Sequence, residues 1–115
     1  AVSFAEAIGA EAVFIGANQI DYSNYPDCRQ EFLRAFERAV KKGTKSAVEK
    51  RPIKIIAPLE NITKPGIIKI AIGLGAPLKL TWSCYKGEKA PCAVCDSCRI
   101  RAKGFEEAGI PDPLL

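Results

Sequence analysis

Apolar and polar positions fall in blocks along this chain, and the blocks alternate between helical and strand-like patterns. Residues 3–9 read as the tail of a helix, with Gly9 as its stop. EAVFIGAN follows, and its short apolar run from Ala12 to Ile15, ended by Gly16, predicts a buried strand that feeds a loop. The loop NQIDYSNYPD is rich in Asn, Asp, Ser and Pro and should be irregular and exposed. A helix is expected from about Cys28 to Lys42, with Asp27 as its N-cap. Phe32, Leu33, Phe36, Ala39 and Val40 recur at helical spacing and predict one apolar face. Lys41-Lys42-Gly43 supplies a basic last turn and a glycine stop.

Residues 44–52 read as a polar connection. A second strand is predicted from Ile53 to Ala57, closed by Pro58. Thr63 can cap a helix running to about Gly73, with Pro65 tolerated in the first turn. Ile67, Ile68, Ile70 and Ile72 lie on several faces of that helix, so it should pack on more than one side. The order strand, helix, strand, helix is that of a parallel α/β layer. Two strands are few for such a sheet, which predicts further strands upstream. The last third holds a cysteine-rich loop, a short helix near Ser97–Ala108 and a PDPLL tail. The expected division is therefore residues 1–80 as part of an α/β domain and 81–115 as a cysteine-bearing segment.

Composition narrows the class. The chain has 115 residues, 48% of them hydrophobic and 26% charged, which fits one small globular domain. No apolar run reaches the roughly 18–20 residues that a membrane span needs, and the start of the chain has no signal-peptide layout. Those features predict a cytoplasmic protein without a membrane partner. The chain has no Met, so it lacks an initiator and is expected to be a piece of a longer one. A net charge of +4, from 17 basic and 13 acidic residues, permits contact with nucleotides or nucleic acid without requiring it.

The five cysteines carry the sharpest chemistry. Four of them, Cys84, Cys92, Cys95 and Cys98, have the spacing Cys-x7-Cys-x2-Cys-x2-Cys. A two-residue gap lets one turn of backbone present two sulfurs to one metal, so the tandem gaps should supply three ligands from one knuckle. Cys84 then folds back as the fourth, through a turn built on Gly87 and Pro91. Four thiolates suit Zn2+, held tetrahedrally at about 2.3 Å; a closed shell of four makes a structural role the default, and the catalytic alternative would need one labile ligand. An iron–sulfur cluster competes, because tandem Cys-x2-Cys-x2-Cys also serves cubane sites. Disulfides are disfavoured by the odd count and tight clustering. Lys86, Lys89, Arg99, Arg101 and Lys103 should offset the formal −2 charge of a zinc tetrathiolate or face a phosphate.

Two other clusters are candidates for binding. Asn18, Asp21, Tyr22, Tyr25, Asp27 and Arg29 follow the carboxyl end of the first predicted strand, the edge where open α/β sheets bind ligands. An ordinary polar turn would carry the same residue types. Lys64 sits at a strand-to-helix junction, where it can face a phosphate or simply be solvated. Cys28 lies outside the cluster and reads as a small, partly buried helix residue.

GANQIDYSNYPDCR, then IKIIAPLENITK, then LTWSCYKGEKAPCAVCDSCRIRAKGFEEAGIPDPL resemble, in order and spacing, the C-terminal half of the QueC-type 7-cyano-7-deazaguanine synthase family. The resemblance runs from about Glu11 to Leu114. It implies a partial Rossmann-like layer of the adenine-nucleotide α-hydrolase (PP-loop) type with a C-terminal four-cysteine zinc segment. The implied activity of the full-length parent is that of an ATP-dependent carbon–nitrogen ligase using ATP with Mg2+. It would adenylate 7-carboxy-7-deazaguanine, let ammonia displace AMP, and dehydrate the amide to the nitrile for queuosine or archaeosine in tRNA. Carried over residue by residue, Cys84, Cys92, Cys95 and Cys98 match the zinc ligands. Asp21, Tyr25, Asp27, Cys28 and Arg29 match a motif that lines the deazaguanine pocket, and Thr63-Lys64 matches a threonine- or serine-lysine pair before a helix.

Two departures follow. The family's SGGxDS nucleotide loop is absent from these 115 residues, so the chain alone is expected to be inactive. Pro65-Gly66 stands where the family usually carries an acid at the second position, which removes a capping box. The competing readings are a zinc-stabilised RNA-binding or interaction module, and another PP-loop enzyme such as a tRNA-thiolating one. An unpaired sheet edge in a partial layer also predicts association, including homo-oligomers.

Overall fold

The computed structural model describes residues 1–18, 25–87 and 89–114, and the chain divides into two compact units, residues 1–61 and 62–115.

In the first unit, α1 (Val2–Ala7) leads through Gly9, in the left-handed region at φ 70°, into β1 (Ala12–Phe14). The strand β1 pairs in parallel with β2 (Lys54–Ile56), in the register Ala12 to Lys54, Val13 to Ile55 and Phe14 to Ile56. A parallel pair needs a long crossover, and here it contains α2 (Gln30–Gly43) and α3 (Lys45–Val48). Ala5, Val40 and Ile53 are the buried centre, with Val2, Ala10, Val13 and Ile55 packed around them. Ile53 is the most enclosed, at 1% exposure, and full burial of such a side chain is worth roughly 1.5–3 kcal/mol.

The structure corrects the first unit's expected elements at three points. The helix begins at Gln30, two residues later than the pattern suggests, because Pro26–Cys28 form a separate 3-10 turn. Asp27 is inside that turn; the N-cap of α2 is Arg29, with no capping side chain. Residues 44–52 are also not a plain connection. Thr44 accepts the N–H of Ala47 at 3.4 Å and donates to the Val40 carbonyl at 2.9 Å, which ends α2 and starts α3 within one residue. Ser46 N–H then donates to Glu6 Oε1 at 2.8 Å, tying α3 to α1. Finally, only Leu33 and Val40 of the five expected apolar positions are buried. Phe32, Phe36 and Ala39 are exposed, with the two rings stacked at 6.1 Å. Leu33 and Val40 are two turns apart on one line, whereas residues 32, 36 and 39 lie on the line about 100° away.

In the second unit, α4 (Lys64–Gly73) begins as expected: Thr63 is its N-cap, accepting the Gly66 N–H at 3.4 Å, and Pro65 sits in the first turn. Gly75, at φ 67°, follows its end. Ile68 is buried and Ile67 half-buried, whereas Ile70 and Ile72 are exposed, so among the described residues only two of the four expected isoleucines are covered. Its partner is α5 (Asp96–Ala108), stopped by Gly109 at φ 72°. The two helices approach closely where α5 has no side chain. A Cβ at Gly104 would lie 2.5 Å from Lys64 Cγ and 3.2 Å from Ile68 Cδ1.

Candidate metal centre

Among its described residues the segment 81–98 contains no strand and only the first turn of α5, so their backbone conformation is set by local turns and by the sulfurs. Cys84 opens the first of these turns. Its Sγ accepts the N–H groups of Gly87 at 3.0 Å, Cys92 at 3.3 Å and Lys86 at 3.4 Å. Gly87 is required here by space: a Cβ would stand 2.1 Å from the Ala90 carbonyl oxygen. A second, similar turn runs from Cys92 to Cys95, whose N–H donates to Cys92 Sγ at 3.4 Å. Ala93 makes it possible by adopting φ 60°, a left-handed conformation that costs a non-glycine residue about 1–2 kcal/mol. Cys98 comes from the first turn of α5, for which Cys95 is the N-cap.

The four sulfurs converge. All the Sγ atoms lie within 4.8 Å of one another, and Cys84, Cys95 and Cys98 are buried. A tetrahedral thiolate shell with bonds of about 2.3 Å would set its sulfurs about 3.8 Å apart, so a small inward contraction would let one ion touch all four. The expected geometry is corrected in one respect. The four cysteines come as two knuckles and a helix turn, Cys84, then Cys92 with Cys95, then Cys98, and not as three from one knuckle. Gly87 therefore shapes the Cys84 knuckle itself.

The same contacts polarise the thiols. The N–H of Cys92, helped by those of Lys86 and Gly87, outweighs burial and lowers Cys84 to about 6. Cys95 is lowered by the N–H groups of Tyr85 and Cys98. Burial, with Cys95 and Cys84 as sulfur neighbours, raises Cys98 to about 12. Backbone N–H groups that favour the thiolate forms of Cys84 and Cys95 supply the donor chemistry that a four-sulfur metal site needs.

Two of the five expected neighbouring cations are otherwise engaged. Arg101 forms a bidentate pair with Asp112, Nε to Oδ2 at 2.6 Å and Nη2 to Oδ1 at 2.8 Å, and Lys103 reaches Glu107 at 3.7 Å. Arg101 also donates from Nη1 to Thr81 Oγ1 at 2.8 Å and lies 5.0 Å from the centre of the Phe105 ring. Pattern reading missed this arrangement and the role of Gly104. Both join residues distant in sequence and leave no periodic trace, although an acid between Pro111 and Pro113 is a weak pointer to a fixed tail.

The expected substrate residues are placed less fully. Asp21 and Tyr22 lie outside the described residues. Tyr25, Asp27 and Arg29 are exposed around the 3-10 turn, with Arg29 Nη1 3.8 Å from Glu31. Lys64, in the other unit, opens α4 and is half-buried against Gly104. A cavity of about 430 Å³ elsewhere in the first unit is lined by Glu6, Glu11, Lys45, Glu49, Arg51 and Lys54, and by none of the expected site residues. Two of its cations are already paired with Glu49, Lys45 at 3.5 Å and Arg51 at 2.6 Å.

The chain has counterparts among known sequences along nearly its whole length. The sequence model of the family described as "Queuosine biosynthesis protein QueC" matches residues 1–109. The chain belongs to the QueC family. It is 56% identical, over 99% of its length, to the 7-cyano-7-deazaguanine synthase of Acetivibrio thermocellus, covering 51% of that protein. It is 51% identical to the synthases of Nostoc punctiforme and Thermoplasma volcanium, covering 51% and 47% of them. The chain thus spans about half the length of the curated relatives it matches. QueC is a PP-loop family, in keeping with the parallel α/β arrangement. No helix among the described residues is long and apolar enough to cross a membrane.

Proposed function

We propose that this chain forms the zinc-bearing part of an ATP-dependent ligase that makes 7-cyano-7-deazaguanine from 7-carboxy-7-deazaguanine and ammonia. The observation that carries the reading is the convergence of four sulfurs within 4.8 Å in a chain of the QueC family. Cys84, Cys92, Cys95 and Cys98 would hold the ion. Zinc in a closed thiolate shell has no open coordination position and supplies structural cross-linking only. It would fix the start of α5, whose Gly104 lies against Lys64.

The reaction needs a carboxylate turned into an electrophile, and adenylation by ATP with Mg2+ gives it a leaving group. Ammonia then forms the amide, and a second activation removes its oxygen to leave the nitrile. In this chain Asp21, Tyr25, Asp27 and Arg29 are the proposed contacts to the heterocycle, through stacking and polar edges. Lys64 is the proposed phosphate or carboxylate contact at the start of α4. The 115 residues contain no SGGxDS loop, so the chain by itself is expected to give no turnover.

Two measurements test this. Elemental analysis of the purified chain should give about one zinc per chain; iron with visible absorbance would replace zinc by a cluster. A protein joining this chain to an SGGxDS-bearing partner sequence should release AMP when given 7-carboxy-7-deazaguanine, ATP and ammonia. No AMP and no nitrile under those conditions would refute the ligase reading.

A further inference from the structure

We propose that Arg101, Asp112 and Thr81 form a clasp that closes the base of the cysteine segment and sets how long the metal is retained. The inference rests on the zinc reading above and goes beyond the four ligands. Thr81 lies three residues before Cys84, and Arg101 lies three residues after Cys98, so together they bracket the whole metal-binding segment. Their side chains meet: Arg101 Nη1 donates to Thr81 Oγ1 at 2.8 Å, while the Thr81 hydroxyl donates to the Leu78 carbonyl at 2.7 Å. The segment is thereby a loop with its two ends tied.

The tail holds the knot. Asp112 grips the guanidinium with both oxygens, and its Oδ1 also accepts the Leu114 N–H at 3.0 Å. The pair is well enclosed, with Arg101 11% and Asp112 5% exposed at the side chain. The Phe105 ring, 3% exposed, backs the guanidinium. A bidentate pair shielded from water is stronger and more directional than a surface pair. None of these three residues offers a ligand to the ion, so they are positioning residues.

The physical consequence concerns metal release. An ion leaves a four-thiolate shell when one ligand swings away and stays away. Tying residues 81 and 101 keeps the detached sulfur close, so rebinding outruns escape. Untying the base raises the chance that a detached sulfur is lost, even though the shell itself is unchanged.

The test is the rate at which the zinc-loaded chain passes its metal to excess coloured chelator. Asp112→Asn should speed release by at least about tenfold, the factor carried by losing one charge-assisted hydrogen bond. Thr81→Val, which removes the hydroxyl and keeps the shape, should also speed release, and Thr81→Ser should restore the original rate. Glu107→Gln, which breaks the exposed pair with Lys103 on the same helix, should leave the rate unchanged. If Asp112→Asn does not fold, the Thr81 pair of variants decides. Zinc held and released at the original rate by Thr81→Val and Asp112→Asn overturns the clasp alone. A chain that takes up no zinc overturns both the clasp and the metal reading beneath it.

Discussion

Gly87→Ala should weaken zinc binding more than any other single methyl added at a glycine of this chain. The new Cβ would start 2.1 Å from the Ala90 carbonyl oxygen, where 3.0 Å is the floor for real contacts, so one backbone must retreat by about 0.9 Å. Neither atom is the end of a flexible side chain, and the movement cannot be absorbed by a rotamer change. The displaced group is the residue whose N–H donates to Cys84 Sγ at 3.0 Å, the shortest of the three N–H bonds to that sulfur. Hydrogen bonds to charged acceptors contribute about 1.5–3 kcal/mol, and outer-shell partners of a metal ligand typically carry about 10–100-fold in affinity. The expected loss is therefore about tenfold or more in zinc affinity, read by competition against a chelator of known strength. Gly73→Ala is the control, because a Cβ there meets nothing within 4 Å and the backbone is helical. A Gly87→Ala affinity within about twofold of the original would refute the argument that this turn is sterically fixed.

Gly104→Ala adds a methyl against Lys64 Cγ and the buried Ile68; overpacking of about 1–3 kcal/mol should exceed the roughly 1 kcal/mol gained in helix propensity. A lower urea midpoint is expected, and an unchanged or higher one would contradict the close packing of α4 on α5. Asp112 should make the fold acid-sensitive: burial raises its pKa, but hydrogen bonds from Arg101 and the Leu114 N–H more than offset this and leave it lowered. A depressed acid stabilises above its unfolded pKa and loses that contribution as pH falls through the folded value, so this share of stability should be flat from pH 5 to 8 and decline below roughly pH 4. Asp112→Asn should remove that acid arm, and an identical pH profile in the variant would exclude it. Zinc uptake at pH 7 should release at least about one proton, because the Cys98 thiol, raised to about 12, must give one up. Calorimetric enthalpies that do not change between buffers of different ionisation heat would count against this.

The elements whose signals are local were legible in the chain itself. Thr63 followed by Pro65 marks the start of α4, the short helix read near Ser97–Ala108 is α5, and the apolar run at Ala12 gives β1. The four cysteines declare themselves because Cys-x2-Cys spacing is a property of one backbone turn. Tertiary structure decided what depends on meetings between distant residues. It put Leu33 and Val40 inside and left Phe32 and Phe36 outside, a choice that turns on a 100° rotation of α2 that periodicity leaves ambiguous. It split the four cysteines between two knuckles and a helix turn, because Ala93 accepts a positive φ and Gly87 leaves room for a carbonyl. It also drew Arg101 away from the cluster to Asp112 and Thr81, eleven and twenty residues distant. Local spacing names the residues that can bind a metal; only long-range packing settles which side chains meet at the two ends of the segment that carries them.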